Sequence, residues 1–316
     1  MESVASHIIK EYDPEPARFA ALGTTIEVIT TDPARLPDVV RHVQSCIADI
    51  DRTFSRFRSD SELIRLERSN RRPQRASGLF LELLDLAYRA YESTDGWFDL
   101  TVRDALEASG YDRSIEWLEA EGPGPSRTSR PAGQWHLINY DRDRGLIELR
   151  DGVRLDFGGI GKGFAVDYAL RSLPPGSGGV LINAGGDLAV RGPIPEGGWI
   201  CDVAATENSA TEETILLREG AMATSGLGRR QWLRDGRPFH HLINPRTGEP
   251  GESPWRIVTV VARTCVAAEV AAKVAWLRAG EGPQWLESLG LSGRFAGIDG
   301  RVQVAGRWRR QEQGED

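Results

Sequence analysis

The residues best suited to chemistry lie between Leu155 and Asp187. The run Leu-Asp-Phe-Gly-Gly-Ile-Gly-Lys-Gly-Phe-Ala-Val-Asp sets glycines at 158, 159, 161 and 163 around Lys162, and Val-Leu-Ile-Asn-Ala-Gly-Gly-Asp ends on Gly185, Gly186 and Asp187. Glycine permits positive φ and close backbone approach, and a lysine beside the unpaired amides of a helix N-terminus adds a cation. The chemistry of such a junction is the holding of a phosphate. The run is not a P-loop, because the six-residue spacing and the Ser/Thr after the lysine are missing, and it lacks the GxGxxG of the dinucleotide fingerprint. An ordinary tight turn reads the same way. The second glycine loop favours the phosphate reading, since two loops joined by one helix bring two patches of free backbone amides together.

Three further groups carry chemistry. His241 opens His-Leu-Ile-Asn-Pro-Arg-Thr-Gly at a strand end: a histidine there serves as a general base near neutral pH or simply hydrogen-bonds the Asn-Pro turn. Its neighbour His240 alternates to the opposite face of a strand, so only one of the pair points into a site. Thr224 and Ser225 offer hydroxyls at a glycine turn, suited to phosphate oxygens or to capping backbone groups. Glu269 and Lys273 stand four apart on an Ala-rich helix, the spacing of a helix-stabilising ion pair worth roughly 0.2 to 0.5 kcal/mol.

The elements that position these groups follow from periodicity. Phe19 to Ile29 alternates enough, at Ile26 and Val28, to be a strand, with Leu22-Gly23-Thr24 before it; Val39, Val40, Val43, Ile47 and Ile50 mark a buried helix face, and the Ser/Asp cluster before Leu63 caps another short helix. Leu79 to Tyr91 is amphipathic, and Trp97-Phe98-Asp99-Leu100-Thr101-Val102 reads as the start of a core-packing strand. Strands are expected at 134–139, 145–150, 153–157, 179–183, 199–204, 213–218, 230–234, 255–262, 294–298 and 301–305, with helices at 163–172, 266–279 and 282–289. Asp151-Gly152, Asp235-Gly236 and Asp299-Gly300 signal hairpins. Regular βαβ alternation is missing, which predicts an α+β fold with a mixed, largely antiparallel sheet and packed helices. Residues 1–17 read as a loosely ordered lead-in and 18–316 as one domain, with two lobes allowed and a Pro/Gly/Ser/Arg-rich surface loop at 120–133.

Composition narrows the class. The 316 residues carry a net charge of -7, against a nucleic-acid binder, whose affinity comes from clustered Lys and Arg. Cys46, Cys201 and Cys265 are dispersed without CxxC spacing, so buried structural thiols are expected rather than a disulfide framework or zinc site. Met1 to Pro16 carries acids and no apolar core of a leader, and no run approaches the length that crosses a bilayer, which predicts a cytoplasmic protein without a membrane anchor.

With these pieces in order the chain resembles the FAD:protein FMN transferases, the ApbE flavin transferases. The likeness extends over nearly all of it, through Leu22-Gly23-Thr24, Phe54 to Leu63, Phe98 to Val102, Leu155 to Asp167, Leu181 to Asp187, Thr224 to Gly226 and His241 to Pro250. The resemblance implies a T-fold-related architecture. It also implies an enzyme that binds FAD and, with a metal ion on the pyrophosphate, moves FMN to the hydroxyl of a threonine or serine in an acceptor protein, releasing AMP. Positioning and charge neutralisation do most of the work in such transfers.

By that resemblance Leu22 and Phe57 are apolar flavin or adenine contacts, and Phe98, Asp99 and Leu100 form another wall of the dinucleotide pocket. Asp156 and Lys162 are the FAD-contacting pair of the central loop. His241 lies near the transferred phosphate, binding FAD or taking the acceptor's proton. Gly185, Gly186 and Asp187 shape the floor, with Thr224 and Ser225 beside them, and Asn244 stands where the family often has aspartate. The family's magnesium site pairs Asp and Thr four apart on a helix with a carbonyl of the glycine loop, here Gly159. This chain has Glu269 and Lys273 instead. Magnesium prefers hard oxygen ligands, so Lys273, paired with Glu269, is expected to put a fixed positive charge where relatives put the ion. Two alternatives to transfer stay open on sequence: a non-catalytic FAD-binding or flavin-delivery protein, and an FAD hydrolase giving FMN and AMP.

Overall fold

A computed structural model describes residues 15–69, 72–113, 121–122, 132–204, 211–228 and 230–308. Most of the expected lead-in and of the 120–133 loop lies outside the described residues. The chain forms two compact units: the first contains 1–47, 162–229 and 253–316, the second 48–161 and 230–252.

The first unit is built on an eight-stranded sheet. Its strands run in the order Ala17–Ala21, Thr24–Thr30, Val180–Ala184, Asp187–Arg191, Ala221–Gly226, Trp255–Ala262, Ser292–Gly297 and Val302–Ala305, every neighbour antiparallel. The helix Cys265–Leu277, started by Thr264 accepting from the Ala267 amide at 3.2 Å, packs on the strands Ala221–Gly226 and Trp255–Ala262. A hairpin of Trp199–Ala204 and Thr211–Leu217 adds a cluster in which Trp199, Cys201 and Ile215 pack with Ile29, Leu181, Leu188 and Met222. Each such fully buried side chain contributes about 1.5 to 3 kcal/mol.

The second unit carries the helices Glu62–Glu67, Gly78–Ser93 and Arg103–Ala108. Ser61 and Ser77 cap the first two by accepting from the amides of Ile64 and Phe80 at 3.2 and 3.1 Å, the Ser61 cap falling in the Ser/Asp cluster the sequence points to. Phe54, Phe80 and Phe157 pack with centroids 4.8 to 5.6 Å apart. A three-stranded sheet of Gln74–Arg75, Leu146–Leu149 and Ile138–Asp141 and the hairpin Gln231–Arg234/Arg237–His240 complete the unit. Asp235 and Gly236 have φ of 47° and 72°, the double positive φ of a two-residue hairpin turn.

Several expectations change. Phe19 to Ile29 is two strands, because Leu22 and Gly23 both take positive φ, 52° and 66°, and fold the chain into a hairpin. Ala221–Gly226 is a central strand rather than a glycine turn. Val153 to Phe157 alternates but pairs with no strand: Val153, Leu155 and Phe157 are core residues on an extended segment, so Asp151-Gly152 is a turn without a second strand. Residues 135–137 make a 3-10 turn before the strand at 138, and Trp97 to Val102 is a capped turn, not a strand start. All three cysteines are buried, and none forms a disulfide.

Candidate active site

In the first unit the site is assembled by a helix-to-helix contact that only glycine allows. A Cβ on Gly163 would lie 2.7 Å from the Cys265 carbonyl oxygen and 2.9 Å from Glu269 Oε2. Without one, the Gly161–Arg171 helix approaches the Cys265–Leu277 helix, and the Gly163 amide donates to Glu269 Oε2 at 2.8 Å. One turn on, Asp167 accepts from the amides of Cys265 and Val266, both at 2.9 Å, an anion at the positive end of the second helix. Burial pushes the Asp167 carboxyl above its ordinary range, against the pull of those two amides.

Lys162 is fixed by the same contact. Its ammonium pairs with Asp187, which is fully buried, and lies 3.5 Å from Glu269 Oε1. Asp187 begins the strand after the Gly185-Gly186 turn, and its Oδ1 is 3.4 Å from the Thr224 amide. This approach has a register cause: the Asp187–Arg191 strand pairs with Ala221 and Met222 only, so Thr224 lies past the end of the ladder on that side. The Thr224 hydroxyl meets that of Thr259 at 3.0 Å.

The expected pair of free amide patches is not what forms. Gly185 donates to the Thr25 carbonyl at 3.2 Å and Gly186 to Asn183 Oδ1 at 2.8 Å. Asn183 Nδ2 donates in turn to Glu27 at 2.8 Å, and Glu27 takes Arg18 at 2.7 Å. This Arg18–Glu27–Asn183 relay, buried at Glu27 and Asn183 and reaching the surface at Arg18, sets the turn. Sequence reasoning missed it, although a glutamate within the apolar strand Thr24–Thr30 was a usable signal. In the first loop the amides of Gly158, Ile160, Gly161 and Gly163 bond to Asp156, Phe157, Phe157 and Glu269. The glycines therefore serve close approach and turning more than the presentation of open donors.

In the second unit the organiser is Arg56, which sequence reasoning also passed over. Its Nε is 2.7 Å from Asp156 Oδ2, its Nη2 donates to the Tyr111 carbonyl at 2.9 Å, and its guanidinium lies 4.1 and 4.7 Å from the ring centres of Phe57 and Tyr111. Asp156 accepts from Gly158 N at 2.7 Å with its other oxygen. Phe57 keeps 45% of its surface exposed, an aromatic face backed by a cation, whereas Phe98 and Leu100 are 3% and 0% exposed. The latter two are core residues and give a ligand no surface. Asp99 is likewise taken up by the protein: it accepts from the Thr101 amide and hydroxyl at 2.7 and 2.8 Å and from the Gly133 amide at 2.7 Å, and burial raises its pKa.

Of the two histidines, His240 is held by the backbone. His240 Nδ1 accepts from the Leu242 amide at 3.2 Å, so Nε2 carries the proton and donates to the Gly251 carbonyl at 3.0 Å. Burial lowers its pKa, keeping it neutral. His241, half-buried just past the strand, is the candidate base of the pair. Asn244 holds its turn, accepting from the amides of Arg246 and Gly248. Gly159 is buried in the turn at 158–160 of this unit, while Leu22, half-buried at its hairpin tip, Ser225, half-buried on its strand, and Lys273 belong to the first unit.

The residues at the expected magnesium position do not fit the ion. Glu269 already receives the Gly163 amide on one oxygen and faces Lys162 with the other. Lys273, one helical turn further, brings no oxygen and a like charge: at roughly 6 Å a divalent ion and an ammonium repel by about 5 kcal/mol at an effective dielectric of about 20. Among the described residues no group of three or more His, Cys, Asp or Glu is placed to hold a metal.

Comparison with known proteins defines the class. The fold matches the ApbE protein of Thermotoga maritima with a TM-score of 0.81 at 24% identity, covering 92% of this chain and 96% of that one. It matches the apo form of the Pseudomonas stutzeri flavinyl transferase ApbE with a TM-score of 0.75 at 22% identity, covering 92% and 94%. In sequence the chain is 29% identical over 276 residues to the FAD:protein FMN transferase of Chlamydia trachomatis, spanning 81% of this chain and 83% of that protein. It is 25% identical over 280 residues to the Escherichia coli protein of the same name, spanning 81% and 79%. The ApbE family profile matches residues 22–295, and the chain belongs to that family. Among the described residues no helix is long and apolar enough to cross a membrane.

Proposed function

We propose that this chain transfers the FMN moiety of FAD to the hydroxyl of a threonine or serine in an acceptor protein. The observation that carries the proposal is the Chlamydia trachomatis relative, aligned over four-fifths of both chains and named FAD:protein FMN transferase. In the transfer the acceptor oxygen bonds to the FMN phosphorus, the phosphorus–oxygen bond to the AMP half of the pyrophosphate breaks, AMP leaves, and the hydroxyl proton passes to a base.

We assign that base to His241, since His240 is committed to the backbone. Lys162, held against buried Asp187, is assigned the charge that faces the phosphates, with Thr224 and Ser225 as hydroxyl donors and the Gly185-Gly186 turn as the floor. Phe57 is assigned a stacking face for a ring of FAD, Leu22 an apolar contact, and Asp156, fixed by Arg56, a polar contact to the dinucleotide. Leu100 accepts from the Asp156 amide at 2.8 Å and so helps to hold that residue. No step is routed through a metal ion.

The test is incubation with FAD and a threonine-bearing acceptor protein, followed by mass spectrometry, in-gel flavin fluorescence and AMP quantitation. One FMN on the acceptor per AMP released is expected. AMP and free FMN formed at the same rate without acceptor would show hydrolysis instead and overturn the proposal. Phe57→Ala is expected to weaken FAD binding about fivefold or more, as loss of base–aromatic stacking of about 1 to 3 kcal/mol requires, with a stability loss of about 0.5 to 2 kcal/mol from its contact with the Arg56 guanidinium.

A further inference from the structure

Lysine is rare in this chain: of 39 basic residues three are lysine, Lys10, Lys162 and Lys273. Every other cation is arginine, including all those paired with carboxylates in the second unit. Yet Lys162 and Lys273 both belong to one small region of the first unit, around Glu269. Arginine presents a broad planar fork, whereas the lysine ammonium is a compact, strongly hydrated point charge and is the side chain nearest in character to a small metal ion.

The surroundings use that difference. Asp187 and Glu269 are 0% and 3% exposed, and a pair of buried carboxylates is stabilised by nearby positive charge, whether ammonium or a divalent ion. Lys162 lies against both. Lys273, half-buried and four residues after Glu269, adds the second charge on the same helix face. Glu269 Oε2 is meanwhile engaged by the Gly163 amide at 2.8 Å, through a helix contact that an added methyl would break.

We propose that Lys162 and Lys273 together supply the positive charge that a divalent cation would bring to Glu269, and that this chain works without such an ion. The sequence alone points to Lys273 as the substitute; the geometry puts the Lys162 ammonium against both carboxylates, and the proposal gives Lys273 the balancing charge. The proposal rests on the FMN-transfer reading only for its kinetic arm.

The experiment titrates the EDTA-treated, desalted full chain with Mn2+ by electron paramagnetic resonance, with and without FAD. No saturable Mn2+ site is expected, and FAD affinity and FMN transfer are expected to agree within twofold in EDTA and in excess Mg2+. Lys273→Thr removes an ammonium and places an oxygen one turn from Glu269, and is expected to create saturable Mn2+ binding. Lys162→Met is expected to lower FAD affinity at least tenfold in EDTA. Saturable Mn2+ binding by the unaltered chain that Glu269→Gln abolishes would overturn the proposal, as would a tenfold loss of FAD affinity in EDTA or unchanged affinity in Lys162→Met. Failure of transfer in both media would count against the FMN-transfer reading, while the Mn2+ titration still decides the question of the cation.

Discussion

The two units position their own candidate functional residues in different ways. In the first, backbone does the positioning: a strand register, a glycine contact between helices and a carboxylate cap put Lys162, Asp187 and Glu269 together. In the second, side chains do it. Arg56, Arg103 and Arg154 tie Glu67, Asp104, Glu107 and Asp156 into a half-buried network, and Leu155 is hung from Glu67 by its amide at 2.9 Å. Burial pushes the Glu67 carboxyl up. Glu107 is pushed up by burial too, but its bonds to Arg103 and Arg154 outweigh that and leave it low. The first unit is therefore sensitive to volume and the second to charge.

The largest expected effect is therefore in the second unit. Arg56→Ala strands Asp156, whose surface is 9% exposed, without its partner, and loss of one member of a buried pair costs about 3 to 5 kcal/mol. Urea unfolding is expected to show that loss, and Arg56→Lys, which keeps the charge without the fork, is expected to recover only part of it. Equal stability of Arg56→Ala and the parent would remove the contrast.

In the first unit the sharper probe is a single methyl group. Gly163→Ala drives a carbon into the Cys265 carbonyl, and overpacking of this kind costs about 1 to 3 kcal/mol. A loss under about 0.5 kcal/mol by urea unfolding would mean that the helices yield, and that close packing is not what fixes Lys162.

The smallest effect is on pH. The folded-state pKa of His240 lies below the ordinary imidazole value of 6.5, so between that value and the lowered one the unfolded chain binds a proton that the folded chain refuses. His240 therefore leaves stability intact above 6.5 and erodes it as pH falls below, by at most about 1.4 kcal/mol per pH unit. His240→Asn keeps an acceptor for the Leu242 amide but does not titrate. The stability difference between parent and variant is expected to shift against the parent from pH 7 to pH 5; a flat difference would show His240 to be accessible to protons in the folded state.

Much of this was legible in advance where a local rule acts alone. The Asp235-Gly236 hairpin, the Ser61 cap and the buried thiols all follow from short-range chemistry. Leu22-Gly23 escaped because leucine at positive φ is disfavoured, so no local signal marks that turn. Ala221–Gly226 escaped because hydroxyls beside glycine look like a turn until neighbours on both sides claim the backbone. Phe57 and Leu100 looked alike as apolar contacts; one proved exposed and the other fully buried, a distinction that belongs to packing.

The sequence by itself determined the family, the α+β class and the identity of the charged groups, because these are carried by residue type and spacing. Only tertiary contacts settled which carboxylates were already paired, and that the Lys162 ammonium meets both Asp187 and Glu269. The reason is that hydrogen-bond satisfaction and charge pairing depend on residues as far apart as 163 and 269 meeting within 3 Å, and no periodicity along a chain records such a meeting.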